Sequence, residues 1–182
     1  MSIDTHTLIW LFPIAFMFHD FEEIIFWELW LNKHGGEVKS RVPAFLAKQV
    51  DTIVGKSTAQ ASVPICLIFS FTVLASFLAA EYQKYGFLLL ASGAFFLHGF
   101  MHLGQAVALR KYVPAVVTSA LIVIPYGLVL YGRLINEGMV DMSGLLIYFL
   151  LAAALTVPFI LVMHKVGDCL YKKTVKLLIN QS

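Results

Sequence analysis

Charged side chains are scarce in this chain. Of its 182 residues, 13% are Asp, Glu, Lys or Arg and 59% are hydrophobic, whereas a soluble globular domain has about 25% charged residues and roughly half apolar ones. The few charges lie between long, continuously apolar runs that no aqueous core would bury. Strands of a membrane barrel would alternate apolar and polar residues, so we expect helices in a lipid bilayer, where helices satisfy their own backbone hydrogen bonds.

Other absences exclude further classes of protein. The two cysteines, Cys66 and Cys169, lie far apart and lack the spacing of metal ligands, so we expect free thiols. The net charge of +2 is too small and too scattered for nucleic-acid binding. No Lys or Arg precedes Lys33, so the basic region of a cleavable signal peptide is missing.

The apolar runs predict an all-α integral membrane protein. A transmembrane helix needs about 20 apolar residues. We therefore expect residues 1–182 to form one transmembrane domain, a bundle of about five helices, with a short amphipathic helix in the membrane interface over residues 43–55. The predicted spans are 8–31, 61–80, 87–109, 113–134 and 145–163.

The basic residues predict the orientation of this bundle. Eleven of the 13 Lys and Arg residues lie in the loop after span one, the loop after span three and the C-terminal tail. Lys84 and Arg133 fall on the opposite side. The positive-inside rule then predicts a multi-pass protein of the plasma membrane with its N-terminus outside and its C-terminus in the cytoplasm.

Span one carries an unusual cluster of ionisable residues near its middle. His19, Asp20, Glu22 and Glu23 occupy four of five consecutive positions, and each such residue costs roughly 2.5–3.5 kcal/mol on insertion scales. On a helix, Glu22 and Glu23 lie on the same face as His19. Such a costly cluster indicates a functional site.

Span three carries a second polar stripe. His98 and His102 are four residues apart, and Gln105 continues the same face. His19 and His98 each lie eleven residues into spans that run in the same direction, so the two stripes are expected at the same depth. His6, His34 and His164 lie at or beyond the ends of the spans, and we expect them to be solvated.

Three imidazoles and carboxylates at one depth form a ligand set for a divalent metal ion. We predict His19, Glu23, His98 and His102 as ligands of one ion, zinc first, with iron or manganese as alternatives. Glu22 is the candidate general base for a metal-activated water. Asp20 and Gln105 are candidates for side chains that support the ligands.

The stretch His19-Asp20-Phe21-Glu22-Glu23, early in a small five-span protein, resembles the HXXEE-domain family of prokaryotic membrane proteins. The family takes its name from this motif and has no established activity. The resemblance implies a membrane fold with a site at these residues, and it implies no particular reaction. A weaker similarity to intramembrane proteases of the CAAX-prenyl type is broken at Trp27, where that motif has an Arg.

These features favour a metal-dependent membrane enzyme with hydrolase-like acid–base chemistry on a lipidic or lipid-soluble substrate. Membrane lipids and such a small molecule are then the expected partners. Two alternatives use the same residues: a transporter of metal ions or protons, and a b-type haem protein with His19 and His98 or His102 as axial ligands. A purely structural hydrogen-bond network between helices is the remaining interpretation.

Overall fold

The computed structural model describes residues 3–41 and 55–180, and this part of the chain contains helices and no β-strand. Four of its helices are long and apolar enough to cross a membrane. The predicted all-α class is therefore confirmed. In chain order the helices are α1 (Thr5–Arg41), α2 (Thr58–Tyr82), α3 (Tyr85–Leu109), α4 (Val116–Asn136) and α5 (Met142–Ile179).

The predicted spans fall on these helices, but their ends differ. Helices α1 and α5 have 37 and 38 residues, or about 55 Å each, well beyond the roughly 30 Å of a bilayer core. Hydropathy detects the apolar part of a helix only, so it missed their polar extensions. The predicted interfacial helix over 43–55 lies outside the described residues, apart from Gly55.

Prolines account for two local differences from the sequence predictions. The predicted span 61–80 starts just before Pro64, but α2 begins earlier, at an N-cap formed by Ser57, so Pro64 lies inside the helix. Helix α4 begins at Val116, after Pro114 and after Ala115 with its left-handed φ of 69°. A π-helical turn, Ser119–Val123, ends just before Pro125, where the missing N–H disrupts the regular helical ladder.

Pro13 lies inside α1 and leaves the carbonyl of Ile9 without its usual helical N–H donor. The hydroxyl of Ser76, on α2, donates a 2.9 Å hydrogen bond to that carbonyl and is itself fully buried. The pairing of α1 with α2 therefore satisfies a backbone group that the proline exposes in an apolar interior.

The five helices form one bundle. Helix α2 packs against α1, α3 and α5, while α3 also packs against α4 and α5. Two glycines bring α3 and α4 together: a Cβ atom at Gly99 would lie 2.9 Å from Val123, and one at Gly127 would overlap the ring of Phe96. The close approach at Gly99 joins α3 to the end of the π-helical turn of α4.

Candidate metal centre

The two polar stripes predicted from the sequence meet inside the bundle. Helix α1 supplies His19 and Glu23, and α3 supplies His98 and His102, each pair separated by one helical turn. Each of these residues offers one ligand atom, and all four atoms lie within 4.8 Å of one another. The structure therefore brings together all four residues that were predicted as metal ligands.

The histidine rings are in close contact. The Nε2 atoms of His98 and His102 are 2.9 Å apart, and Nε2 of His98 lies 3.9 Å from Oε2 of Glu23. The ring of His19 is centred 5.5 Å from that of His98 and 5.2 Å from that of His102. His19 has no exposed surface and His102 is 6% exposed, whereas the side chains of His98 and Glu23 are 25% and 15% exposed.

The donor set fits a divalent ion. Nε2 of His19 is buried and has no hydrogen-bond partner in the described part of the chain, which is costly for a polar atom unless something binds it. Zinc–nitrogen bonds of about 2.0–2.1 Å place the ligand atoms of a tetrahedral site roughly 3.3 Å apart, so donors that all lie within 4.8 Å of one another need only small shifts. Imidazole nitrogens and a carboxylate are the donors that zinc, iron and manganese accept in proteins.

A hydrogen-bonded chain from α4 holds the ring of His19. The hydroxyl of Thr118 lies 2.6 Å from Oε2 of Glu22 and 3.2 Å from Nδ1 of His19. The hydroxyl has a single proton, which it shares in the hydrogen bond to the closer carboxylate oxygen of Glu22. The hydroxyl oxygen therefore accepts the second hydrogen bond, and Nδ1–H of His19 is its donor. This tautomer leaves the lone pair on Nε2, the atom that faces the other ligands.

Glu22 lies beside the ligand group and not in it. Its two oxygens accept four hydrogen bonds, from the Tyr112 hydroxyl, the Val117 amide, and the amide and hydroxyl of Thr118. The two amides belong to the first turn of α4, where N–H groups lack helical partners. Glu22 therefore ties α1 to the start of α4. Its predicted role as general base stays a prediction.

The loop before α4 is fixed from its other side by the end of α1. Trp30 donates a 2.6 Å hydrogen bond from Nε1 to the carbonyl of Tyr112, and Glu37 forms an ion pair with Lys111. The hydrogen bond from Lys111 lowers the pKa of Glu37. Burial, together with the bond to Glu22, raises the pKa of Tyr112, so its phenol stays protonated and donates.

An apolar cavity of about 510 Å³ reaches this site between α1, α2, α3 and α5. Asp20, Glu23 and His98 are among its lining residues. Oδ2 of Asp20 and Nε1 of Trp27 are buried and have no hydrogen-bond partner within residues 3–41 and 55–180, and both residues line the cavity. A molecule bound in the cavity would therefore lie next to the candidate ligands and to two polar groups without partners.

The other polar residues named from the sequence have different surroundings. Gln105 is exposed near the end of α3 and does not belong to the ligand group. His6 pairs with Glu81 at the surface. His164, expected to be solvated, is only partly exposed and lines the cavity. The expectation of solvation failed for His164 because α5 packs its polar extension against the bundle.

Thr118, Tyr112 and Trp27 were not identified from the sequence. Thr118 is one hydroxyl residue in an apolar run, and nothing in that pattern distinguishes it from a residue facing lipid. Trp27 lies near the end of span one, where a Trp is typical of an anchor at the membrane interface. Their positions depend on which helix packs against α1, which a hydropathy pattern does not specify.

Comparison with known proteins gives one match. A family model described as a protein of unknown function with an HXXEE motif matches residues 10–130. The matched region contains the four candidate ligands, Glu22 and Thr118. No curated protein and no solved structure matches the chain.

Proposed function

This chain belongs to the HXXEE family of proteins of unknown function, and we propose that it is a metal-dependent integral membrane enzyme that hydrolyses a lipid-soluble substrate. The observation that carries the proposal is the convergence of His19, Glu23, His98 and His102 beside an apolar cavity. Intramembrane ionisable residues are expensive and usually functional, and the cavity gives them access to a hydrophobic molecule.

We further propose that α1 crosses the membrane as the fifth span, with its N-terminus outside and the C-terminus of the chain in the cytoplasm of a plasma-membrane protein. Large apolar side chains, 50–72% exposed, form one stripe along this helix at Ile14, Phe18, Phe21, Ile25 and Leu29. Their spacing of three or four residues places them on a single face. Such a face suits lipid, while the ionisable cluster faces the bundle interior.

Zinc is the ion that we propose for the site, held by three imidazoles and the carboxylate of Glu23. A divalent ion bound there would act as a Lewis acid and lower the pKa of a water molecule. Four protein ligands close a tetrahedral zinc site, so catalysis by zinc requires a fifth coordination position. Six-coordinate iron or manganese would leave two positions open.

Side chains of the protein itself carry out the proton transfer and the positioning of the ligands. Asp20 lines the cavity with an unpartnered carboxyl oxygen, and we propose that it accepts the proton of the attacking water. The water oxygen bonds to the carbonyl carbon of an ester, the bond to the leaving oxygen breaks, and Asp20 returns the proton to that oxygen. Glu22, whose oxygens already accept four hydrogen bonds, positions Thr118 and thereby His19.

The geometry favours this proposal over the two alternatives. A bis-histidine haem needs axial nitrogens on opposite faces of a porphyrin plane, whereas the four donors here converge on one point. An ion-transport path needs polar groups along its length, but the cavity that reaches the site is lined mainly by apolar side chains.

The test is elemental analysis of detergent-purified protein beside the variants His19→Ala and His98→Ala. We expect about one zinc ion per chain, lost in both variants and retained in His34→Ala, whose histidine lies outside the ligand group. Hydrolysis of an uncharged long-chain 4-nitrophenyl ester should disappear with the metal. Folded wild-type protein without a stoichiometric metal would overturn the proposal.

A further inference from the structure

The cavity has an elongated shape that runs parallel to the helices. Its lining residues span positions 16–27 of α1, 61–72 of α2, 87–98 of α3 and 152–164 of α5. At 1.5 Å per residue, each stretch covers about 17 Å along the bundle. A volume of about 510 Å³ extended over this length suits an extended hydrocarbon chain.

The two ends of the cavity differ in polarity. One end of the cavity holds the indole N–H of Trp27 and the ionisable lining residues Asp20, Glu23, His98 and His164. On α1, α3 and α5, these residues are among the later ones to line the cavity. Toward the other end the lining is apolar, with Phe16, Phe71 and Phe87. The two threonines that line the cavity donate to carbonyls of their own helices. The cavity is therefore amphipathic along its length.

The charge of the lining selects against an anionic head group. No Lys or Arg lies among the lining residues of the described chain. With a divalent ion bound, the carboxylate of Glu23 would offset part of its charge. A phosphate or carboxylate placed there would gain no Lys or Arg partner while losing its hydration.

The cavity opens beside α5. Leu155 and Val162, seven residues apart on one face of that helix, line the cavity and are 48% and 51% exposed. These side chains lie on the apolar exterior of the bundle. A molecule dissolved in the bilayer would therefore enter sideways without crossing a charged surface.

From these observations we propose that the cavity binds a single-chain, uncharged amphiphile, such as a long-chain ester or monoglyceride. The chain lies in the apolar half, and the polar group meets Trp27 and Asp20 beside the ligand group. Such an amphiphile would be the substrate of the proposed hydrolase, and its role as a substrate rests on that proposed function. The binding itself needs neither metal nor turnover.

The test measures binding to purified protein in detergent micelles, with and without a metal chelator. The probe is a monoglyceride brominated on its chain, which quenches nearby tryptophan fluorescence, and the competitor series includes the fatty acid of equal chain length at pH 8. We expect the monoglyceride to bind at least tenfold more tightly than the fatty acid anion. The quenching component should disappear in Trp27→Phe. Equal or tighter binding of the anion would overturn the proposal.

A pair of variants tests the location. Ala94→Phe places a large ring in the cavity, whereas Ala154→Phe adds the same ring on the exposed face of α5. Affinity should fall at least tenfold in the first and stay unchanged in the second, with equal metal content. Unaltered binding to Ala94→Phe would place the ligand elsewhere. If Ala94→Phe does not fold, the relative affinities of the wild-type protein for the monoglyceride and for the fatty acid anion still test the proposal.

The two proposals fail in different ways. Binding of the monoglyceride by a protein that holds no metal would refute the hydrolase and leave the cavity inference standing. A metal-loaded protein that does not discriminate between the uncharged and anionic chains would refute the inference and leave the metal centre standing.

Discussion

At the scale of the residue, the hydroxyl of Thr118 is the contact on which the orientation of His19 depends. Thr118→Val keeps the shape of the side chain but removes both the donor to Glu22 and the acceptor for Nδ1 of His19. Loss of such an outer contact typically weakens metal binding about 10–100-fold. Competition with a chelating dye should show that loss, while Thr118→Ser should retain wild-type affinity. Equal affinities in both variants would contradict this account of His19.

The two carboxylates that flank the ligand group are expected to respond differently to neutralisation. Asp20→Asn should abolish ester hydrolysis and keep the metal, because it removes a proton acceptor without touching a ligand. Glu22→Gln should lower metal affinity and stability, since an amide NH₂ would face the donors that now point at its oxygens. Metal content and turnover, measured together, check both. Full metal with no turnover in Glu22→Gln would instead make Glu22 the general base.

Much of the candidate site follows from spacing along the sequence. The pairs His19–Glu23 and His98–His102 each lie one turn apart, so each pair had to share a helix face, and equal depth in two spans brought the pairs to one level. The contact between Thr118 and His19 could not be predicted from that spacing. Thr118 reaches the site through the close approach of α3 and α4 at Gly99, and packing of this kind has no signature in a single helix.

At the scale of the element, the proline in α1 and the serine in α2 are expected to be energetically coupled. Ser76→Ala leaves the Ile9 carbonyl without its side-chain donor, which should destabilise the protein by about 1 kcal/mol. In a Pro13→Ala background the restored N–H satisfies that carbonyl, so the same change should cost little. Unfolding of the four proteins in mixed micelles gives the coupling energy. An equal cost in both backgrounds would show that Ser76 acts independently of the proline.

The existence of the helices was predictable and their ends were not. Apolar runs located each span because lipid requires about 20 apolar residues. The polar extensions of α1 and α5 are helical because they pack on the bundle: Lys56 and Gln60 bind Asp168 of α5, and Glu37 of α1 pairs with Lys111 in the loop before α4. These contacts join residues 74 to 112 positions apart, and hydropathy along the chain carries no information about them.

At the scale of the whole molecule, the number of membrane crossings depends on α1. Four helices meet the length and hydropathy expected of a span, whereas α1 carries the ionisable cluster that lowers its hydropathy. His19, Asp20 and Glu22 lower the hydropathy of α1, but all three are buried inside the bundle. The exposed stripe of α1 is apolar, so its outer surface, rather than its average composition, decides whether it can cross.

Five crossings place the two ends of the chain on opposite sides of the membrane, and four would place them on the same side. In a background with Cys66→Ser and Cys169→Ser, we expect Asp4→Cys to react with a membrane-impermeant maleimide in intact cells. Lys173→Cys should react only after permeabilisation. Met139→Cys, in the turn between α4 and α5, is the control that must react from outside. Protection of Asp4→Cys in intact cells that label Met139→Cys would remove α1 from the membrane. The ionisable cluster would then no longer lie in an intramembrane site, and the cost argument that makes it functional would no longer apply.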